Sequence, residues 1–214
     1  MVTSPEDHGA PQPRSDTGRT QRYAVVVLAG GGSTRMGGVP KPELPVGGRS
    51  LMRRVLDAVP DAKPRIVVGD VSGRGFIVAV EDPPGSGPAY ALRTGLGHVP
   101  DAVGLVAVLA ADLPFLTPEV ITGLVDAIGV DEDGAVLVDH HDRPQWLCGV
   151  WRTAVLKERI EGVSPGTGMR QVLGDLRYAR VHWLDGDLPA WFDCDTPQAL
   201  EYARRLDREF RRRS

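Results

Sequence analysis

The richest chemistry in this sequence is compressed into one stretch. Gly30, Gly31 and Gly32 follow an apolar run directly, and Arg35 and Lys41 come within the next nine residues. A glycine-rich turn after a buried strand lets backbone N–H groups converge on an anion. Two cations at short range suit a polyphosphate. Several known phosphate loops are excluded by spacing. No Gly here precedes Lys, so the P-loop pattern is absent. The dinucleotide fingerprint begins at Gly30 and Gly32 but meets Arg35 at its sixth position. Arg35 also replaces the final glycine of a nucleophile elbow around Ser33, so no nucleophilic serine is indicated.

Carboxylates form the second group. Asp112 ends an apolar run and precedes Leu113-Pro114-Phe115. A carboxylate there would face the same crevice as the glycine loop. Hard oxygen ligands suit Mg²⁺, which takes one or two carboxylates plus substrate phosphates. Asp193 and Asp195 flank Cys194 and offer another acidic position, although Asp195 also precedes Thr196-Pro197 and fits local cap chemistry. His140 and His141 are neighbours on an extended stretch, where adjacent side chains point to opposite faces, so one shared ion is not expected. Cys148 reads as a small core residue, and the four tryptophans as core or rim.

The elements that must position these groups are legible as well. Tyr23–Ala29, Arg65–Val68, Phe76–Val80 and Val103–Ala110 are continuous apolar runs, the pattern of strands buried on both faces. Ala135–Val138, Trp146–Trp151 and Ala179–Trp183 read as further strands. Helices are expected from Leu51 to Val59 behind a Ser50 cap, near Ala89–Leu96, and from Thr117-Pro118-Glu119 onward. Others are expected over Thr153–Ile160, over Met169–Leu176, and after Thr196-Pro197, with Leu200, Ala203, Leu206 and Phe210 on its apolar face. Strands alternating with amphipathic helices imply an α/β class: a single Rossmann-like three-layer domain with a mostly parallel central sheet. Such sheets bind ligands beyond the carboxyl ends of their strands, which selects Gly30–Lys41, Gly69-Asp70, Asp82–Pro88 and Asp112–Pro114.

Composition bounds the rest. The 214 residues include 26 Gly and 18 Pro, with 42% hydrophobic residues, enough for a core. Lys and Arg number 25 against 28 Asp and Glu, a net charge of −3 that argues against a nucleic-acid binder. No apolar stretch approaches the roughly 18 residues that span a membrane. Two cysteines make no disulfide framework, so a cytoplasmic location is expected. Residues 1–21 read as a disordered leader, 22–210 as the domain and 211–214 as a basic tail.

The run Leu28 to Lys41, with one extra Gly, resembles the signature of the MobA-type nucleotidyltransferases, specifically the molybdenum cofactor guanylyltransferases. Asp82 with Gly87-Pro88, then Ala111–Phe115, Pro144–Trp151 and Asp193–Pro197, continue the resemblance in order. It covers about Tyr23 to Leu206. It implies a nucleotidyltransferase (GT-A-like) fold and one reaction. GMP passes from GTP to the phosphate of molybdopterin, with Mg²⁺, and pyrophosphate leaves. It further implies nucleotide contacts from Leu28, Ala29, Gly30, Gly31, Gly32, Lys41, Gly69 and Asp82. Arg35, Lys41 and Asp112 would carry the reaction, Asp112 and Asp195 the metal, and Arg170 the acceptor side. Transient contact with molybdoenzymes or cofactor-handling proteins also follows from it. Pro40, Gly69 and Tyr90 depart from the family pattern, which bears on base and acceptor more than on fold. The alternatives are a related transferase using CTP or another small phosphorylated acceptor, a nucleotide-sugar glycosyltransferase, and a catalytically silent binding module. Ala110-Ala111-Asp112 lacks the Asp-x-Asp expected of a glycosyltransferase. The joint presence of Arg35, Lys41 and Asp112 argues against a silent module.

Overall fold

The computed structural model describes residues 22–30, 35–36, 38–183 and 188–213, with only the backbone of Arg35 and Met36. The expected leader at 1–21 lies outside the described residues, as do Gly31, Gly32 and the side chain of Arg35.

The apolar runs become strands β1 (Tyr23–Leu28), β2 (Arg65–Val68), β3 (Ile77–Ala79), β4 (Leu105–Ala110), β5 (Gly134–Val138), β6 (Pro144–Arg152) and β7 (Tyr178–Val181). They form one sheet in the order β7-β5-β6-β4-β1-β2-β3. β1 pairs in parallel with β2 and β4, β2 with β3, and β5 with β7. β6 alone among them runs antiparallel, against both β4 and β5. The sheet is therefore mostly parallel, as the pattern implies. Periodicity cannot give strand direction, so β6 shows its orientation only in three dimensions.

Helices cover both faces. They are α1 (Leu51–Asp57), α2 (Pro88–Leu96), α3 (Pro118–Asp126), α4 (Thr153–Arg159), α5 (Met169–Leu173) and α6 (Pro197–Arg213). Alternation along β1 sorts its side chains between the two faces. Val25 and Val27 pack with Val55 of α1 and with Val120 and Leu124 of α3. Ala24 and Val26 pack with Leu92 of α2, Leu156 of α4 and Leu173 of α5. The caps read from the sequence are present. Ser50 Oγ accepts from Arg53 N at 3.3 Å, Thr117 Oγ1 from Val120 N at 3.5 Å, and Thr196 Oγ1 from Ala199 N at 3.1 Å.

Three expectations change in detail. β3 is the sheet's edge, not a fully buried strand: Ile77, Val78 and Val80 are exposed at 41%, 40% and 62%. An apolar run does not reveal that its outer neighbour is missing. α5 stops at Leu173, where Gly174 takes the C-terminal cap. α6 continues to Arg213, so the basic run belongs to the helix, and Phe210 is 40% exposed instead of lining its buried face. Among the described residues, no helix is long and apolar enough to cross a membrane.

Strand order reverses direction between β1 and β4, because the chain moves outward from β1 to β2 and β3 and returns to place β4 on the other side. The crevice beyond the carboxyl ends of β1 and β4 is where a doubly wound sheet binds ligands.

Candidate active site

That crevice holds a cavity of about 340 Å³. Of the residues selected from the sequence, Leu28, Ala29, Gly30, Lys41, Asp112 and Asp195 line it. β1 delivers the first three, and its last backbone link continues outward because Ala29 N donates to Val68 O at 2.8 Å. Lys41 opens a short 3₁₀ turn, Lys41–Glu43, that is held under the site by Leu44 N donating to Lys41 O. β4 presents Asp112 just beyond its end, and Cys194 N donates to Asp112 O at 3.2 Å. That bond draws the Asp193–Asp195 segment against the same spot.

Gly69 stands behind the cavity. Its φ is +148°, and a Cβ there would lie 2.9 Å from Ala29 C and 3.0 Å from Ala29 O. Glycine is required for the end of β2 to approach the first loop this closely. Its observed role is backbone approach, and it offers no side chain to a ligand.

At the end of β3 the buried carboxylate is Glu81, while Asp82 is exposed. Asp82 contributes its carbonyl, which accepts from Tyr90 Oη at 2.9 Å. Glu81 lines the cavity, its Oε1 accepts from Gly85 N at 2.8 Å, and its Oε2 is buried with no hydrogen-bond partner among the described residues. Strand alternation carried the missed signal: Ala79 and Glu81 point inward, whereas Val78, Val80 and Asp82 point outward.

Arg170, at the start of α5, lines a second cavity of about 440 Å³. Both cavities include Pro88, Ala110, Asp112, Leu147 and Asp195, so they meet at the two carboxylates. Trp146, Trp191 and Asp193 line only the second. β6 reaches this point through a register shift between Pro144 and Gly149. Its antiparallel course therefore brings an amino end, not a carboxyl end, to the crevice.

At the junction, Lys41 Nζ pairs with Asp112 Oδ2 and with Asp195 Oδ1. Burial opposes the ammonium, but Asp112 and then Asp195 hold the Lys41 pKa above the ordinary lysine value. Burial raises the Asp112 pKa, and repulsion from Asp195 adds to this against the attraction of Lys41. Asp193 is raised by burial and by Asp195 and Asp112. Three carboxylates against one ammonium leave a formal charge of −3 + 1 = −2 when all are ionised, counting Asp112, Asp193, Asp195 and Lys41. Asp112 Oδ1 is buried without a hydrogen-bond partner among the described residues. An excess of carboxylate oxygen with an unpaired buried acceptor fits a hard divalent cation. Among the described residues, no group of three His, Cys, Asp or Glu side chains is arranged to hold a metal by itself. Two carboxylates completed by substrate phosphates would match that arrangement.

Residues 25–183 match the family described as the MobA-like NTP transferase domain. The chain belongs to the MobA-like NTP transferase family. It is 28% identical to a probable molybdenum cofactor guanylyltransferase of Natronomonas pharaonis, over 84% of this chain and 95% of the relative. It is 30% identical to the molybdenum cofactor guanylyltransferase of Rhodopseudomonas palustris, over 85% and 92% of the two chains. The crystal structure of molybdopterin-guanine dinucleotide biosynthesis protein A from Archaeoglobus fulgidus has the same fold, with TM-score 0.67 at 21% identity, covering 87% of this chain and 99% of that one. This MobA-like NTP transferase is thus a nucleotidyltransferase, an enzyme whose reaction depends on positioning and electrostatics. The site fits that demand: it supplies charge and acceptors at a shared junction and, among the described residues, no activated nucleophile. Cys194, the thiol nearest the carboxylates, is pushed up to about 12, by burial first and then by Asp112.

Proposed function

We propose that this protein is a Mg²⁺-dependent molybdenum cofactor guanylyltransferase, moving GMP from GTP to the terminal phosphate of molybdopterin. The observation that carries this reading is the meeting of two cavities at Asp112 and Asp195, the carboxylates with which Lys41 pairs. A nucleotide cavity and an acceptor cavity that share a charged junction are what a two-substrate phosphoryl-type transfer requires. An acceptor phosphate oxygen forms a bond to the α-phosphorus of GTP. The bond from that phosphorus to the bridging oxygen breaks, and pyrophosphate leaves with the electron pair.

On this reading, the Gly30–Gly32 backbone and Arg35 hold the β- and γ-phosphates. Lys41 neutralises charge that builds on the transferred group and the leaving group. Asp112 and Asp195 are the residues that would hold Mg²⁺, which when bound supplies charge neutralisation at the phosphate oxygens. Glu81 Oε2 is an acceptor waiting for a donor, which suits the N1–H and N2–H groups of guanine. Gly69 keeps β2 close to the first loop, and Asp82 braces Tyr90 from outside the cavity. On the acceptor side, Arg170 offers positive charge to the molybdopterin phosphate, and Trp146 and Trp191 offer aromatic walls to a planar ring system. The enzyme would work in the cytoplasm and pass its product to molybdoenzymes or cofactor-handling proteins.

The test is pyrophosphate release with molybdopterin and Mg²⁺, comparing GTP with CTP, alongside a binding titration of each nucleotide. Turnover with GTP and weak or no turnover with CTP is expected. Turnover with CTP alone would replace the guanylyl reading, and none with any acceptor would favour a binding module.

A further inference from the structure

Lys41, Asp112 and Asp195 come from three distant parts of the chain, and a small apolar cluster lies under all three. It contains Leu44 and Val46, which follow Lys41, then Phe115, which follows Asp112, and Cys194 with Leu200, which flank Asp195. At the edge of this cluster one side chain holds the first two of those segments and the helix that continues the third. Arg54 of α1 donates from Nε to Val46 O at 2.7 Å and from Nη1 to Pro114 O at 3.0 Å. Its Nη2 pairs with Asp207 of α6, the helix that starts just after Asp195. The Arg54 side chain is 16% exposed and that of Asp207 only 7%.

The arrangement is built closely around the guanidinium. The second oxygen of Asp207 accepts from Arg211 Nε at 2.7 Å, and Arg211 Nη2 donates to Gly47 O at 3.1 Å. Gly47 has φ +60°, and a Cβ there would fall on Asp207 Oδ2 and Arg54 Nη2. Only a residue without a side chain lets this turn, between the short antiparallel strands Pro45–Val46 and Arg49–Ser50, approach the pair. A guanidinium presents donors in a rigid planar fork, so it can hold two carbonyls and a carboxylate at fixed angles. The single ammonium of lysine cannot span the same three directions.

We infer that Arg54 is a positioning residue that sets Lys41, Asp112 and Asp195 in register from outside the cavity. It touches no substrate. It ties the Lys41 segment through Val46, the Asp112 segment through Pro114 and the Asp195 segment through Asp207. A displacement of about 1 Å at a reacting centre can cost about a hundredfold in rate. The inference rests on the reading of those three residues as the reacting centre.

The test separates positioning from stability. Arg54→Met leaves Asp207 buried with one partner fewer, so this variant should be less stable. The double variant Arg54→Met/Asp207→Asn removes the uncompensated buried carboxylate and should recover part of the lost melting temperature, although Val46 O and Pro114 O still lack their donor. In both variants kcat is expected to fall about tenfold or more, while KM for the nucleotide stays within about twofold, since neither Gly30 nor Glu81 is among the partners of Arg54. Arg54→Lys should not restore kcat. A kcat that returns with stability in the double variant overturns the inference, as does a loss confined to KM. If the wild-type protein fails to turn over GTP with molybdopterin, the functional reading falls and hydrogen exchange decides this inference separately. Faster exchange confined to residues 41–46 and 193–196 of the double variant supports it, and unchanged exchange there refutes it.

Discussion

Replacing Lys41 by alanine removes the ammonium on which Asp112 and Asp195 converge. The Lys41 and Asp112 side chains are 11% and 13% exposed, so their interaction is poorly screened, whereas Asp195 at 66% faces solvent. At an effective dielectric of about 20, unit charges about 4 Å apart interact by about 4 kcal/mol. Two resident carboxylates already engage the ammonium, so only part of that is available to charge that develops in the transition state. About 3 kcal/mol is the scale of one electrostatic stabiliser, and it corresponds to about a hundredfold in kcat. The assay is the initial rate of pyrophosphate release at saturating GTP, molybdopterin and Mg²⁺. Thermal unfolding should be followed alongside, because the substitution leaves neighbouring carboxylates uncompensated. Linkage gives a second readout. The Lys41 pKa is raised in the folded state, so its stabilisation is present below the ordinary value of 10.5 and is lost as pH rises through the folded value. The wild-type protein should therefore lose more stability than Lys41→Ala on moving above pH 10.5. A folded Lys41→Ala protein with kcat close to wild type would refute the role given to Lys41.

Glu81→Ala should weaken GTP binding by about tenfold, the loss expected of a hydrogen bond to a charged group, and weaken CTP binding less. Equal weakening in a calorimetric titration would remove Glu81 from base recognition. Gly95→Ala places a Cβ against Val26 Cγ1 and 2.9 Å from Val68 Cγ2. Overpacking at about 1–3 kcal/mol should outweigh the gain in helix propensity of about 1 kcal/mol and lower Tm by several degrees; an unchanged or higher Tm would contradict the packing described. Cys148 and Cys194 are both buried and pushed up to about 12. Neither should react with a chromogenic disulfide reagent near neutral pH in the folded protein, while both react in denaturant. Rapid modification of folded protein would count against their burial.

Much of this protein follows from its sequence alone. Continuous apolar runs such as Tyr23–Leu28 have to be buried on both faces, which dictates a mostly parallel sheet and, with it, a site beyond the strand ends. The Ser50, Thr117 and Thr196 caps are local chemistry, and so they are legible locally. Lys41 and Asp112 could be selected because each closes a recognisable stretch of chain. Other features depended on which elements become neighbours. β3 reads as a buried strand but becomes an edge, since nothing in its own residues reports the missing partner. The buried acid is Glu81 and not Asp82, a choice made by which face of β3 turns toward α2 and the first loop. The pairing of Lys41 with Asp195 joins residues 154 apart in sequence, which no local pattern encodes. Arg54 was silent for a related reason: two of its three partners are backbone carbonyls, which every residue carries. Local chemistry fixes strands, caps and the identity of the charged groups, while the register that turns those groups into one junction exists only once the distant segments are packed together.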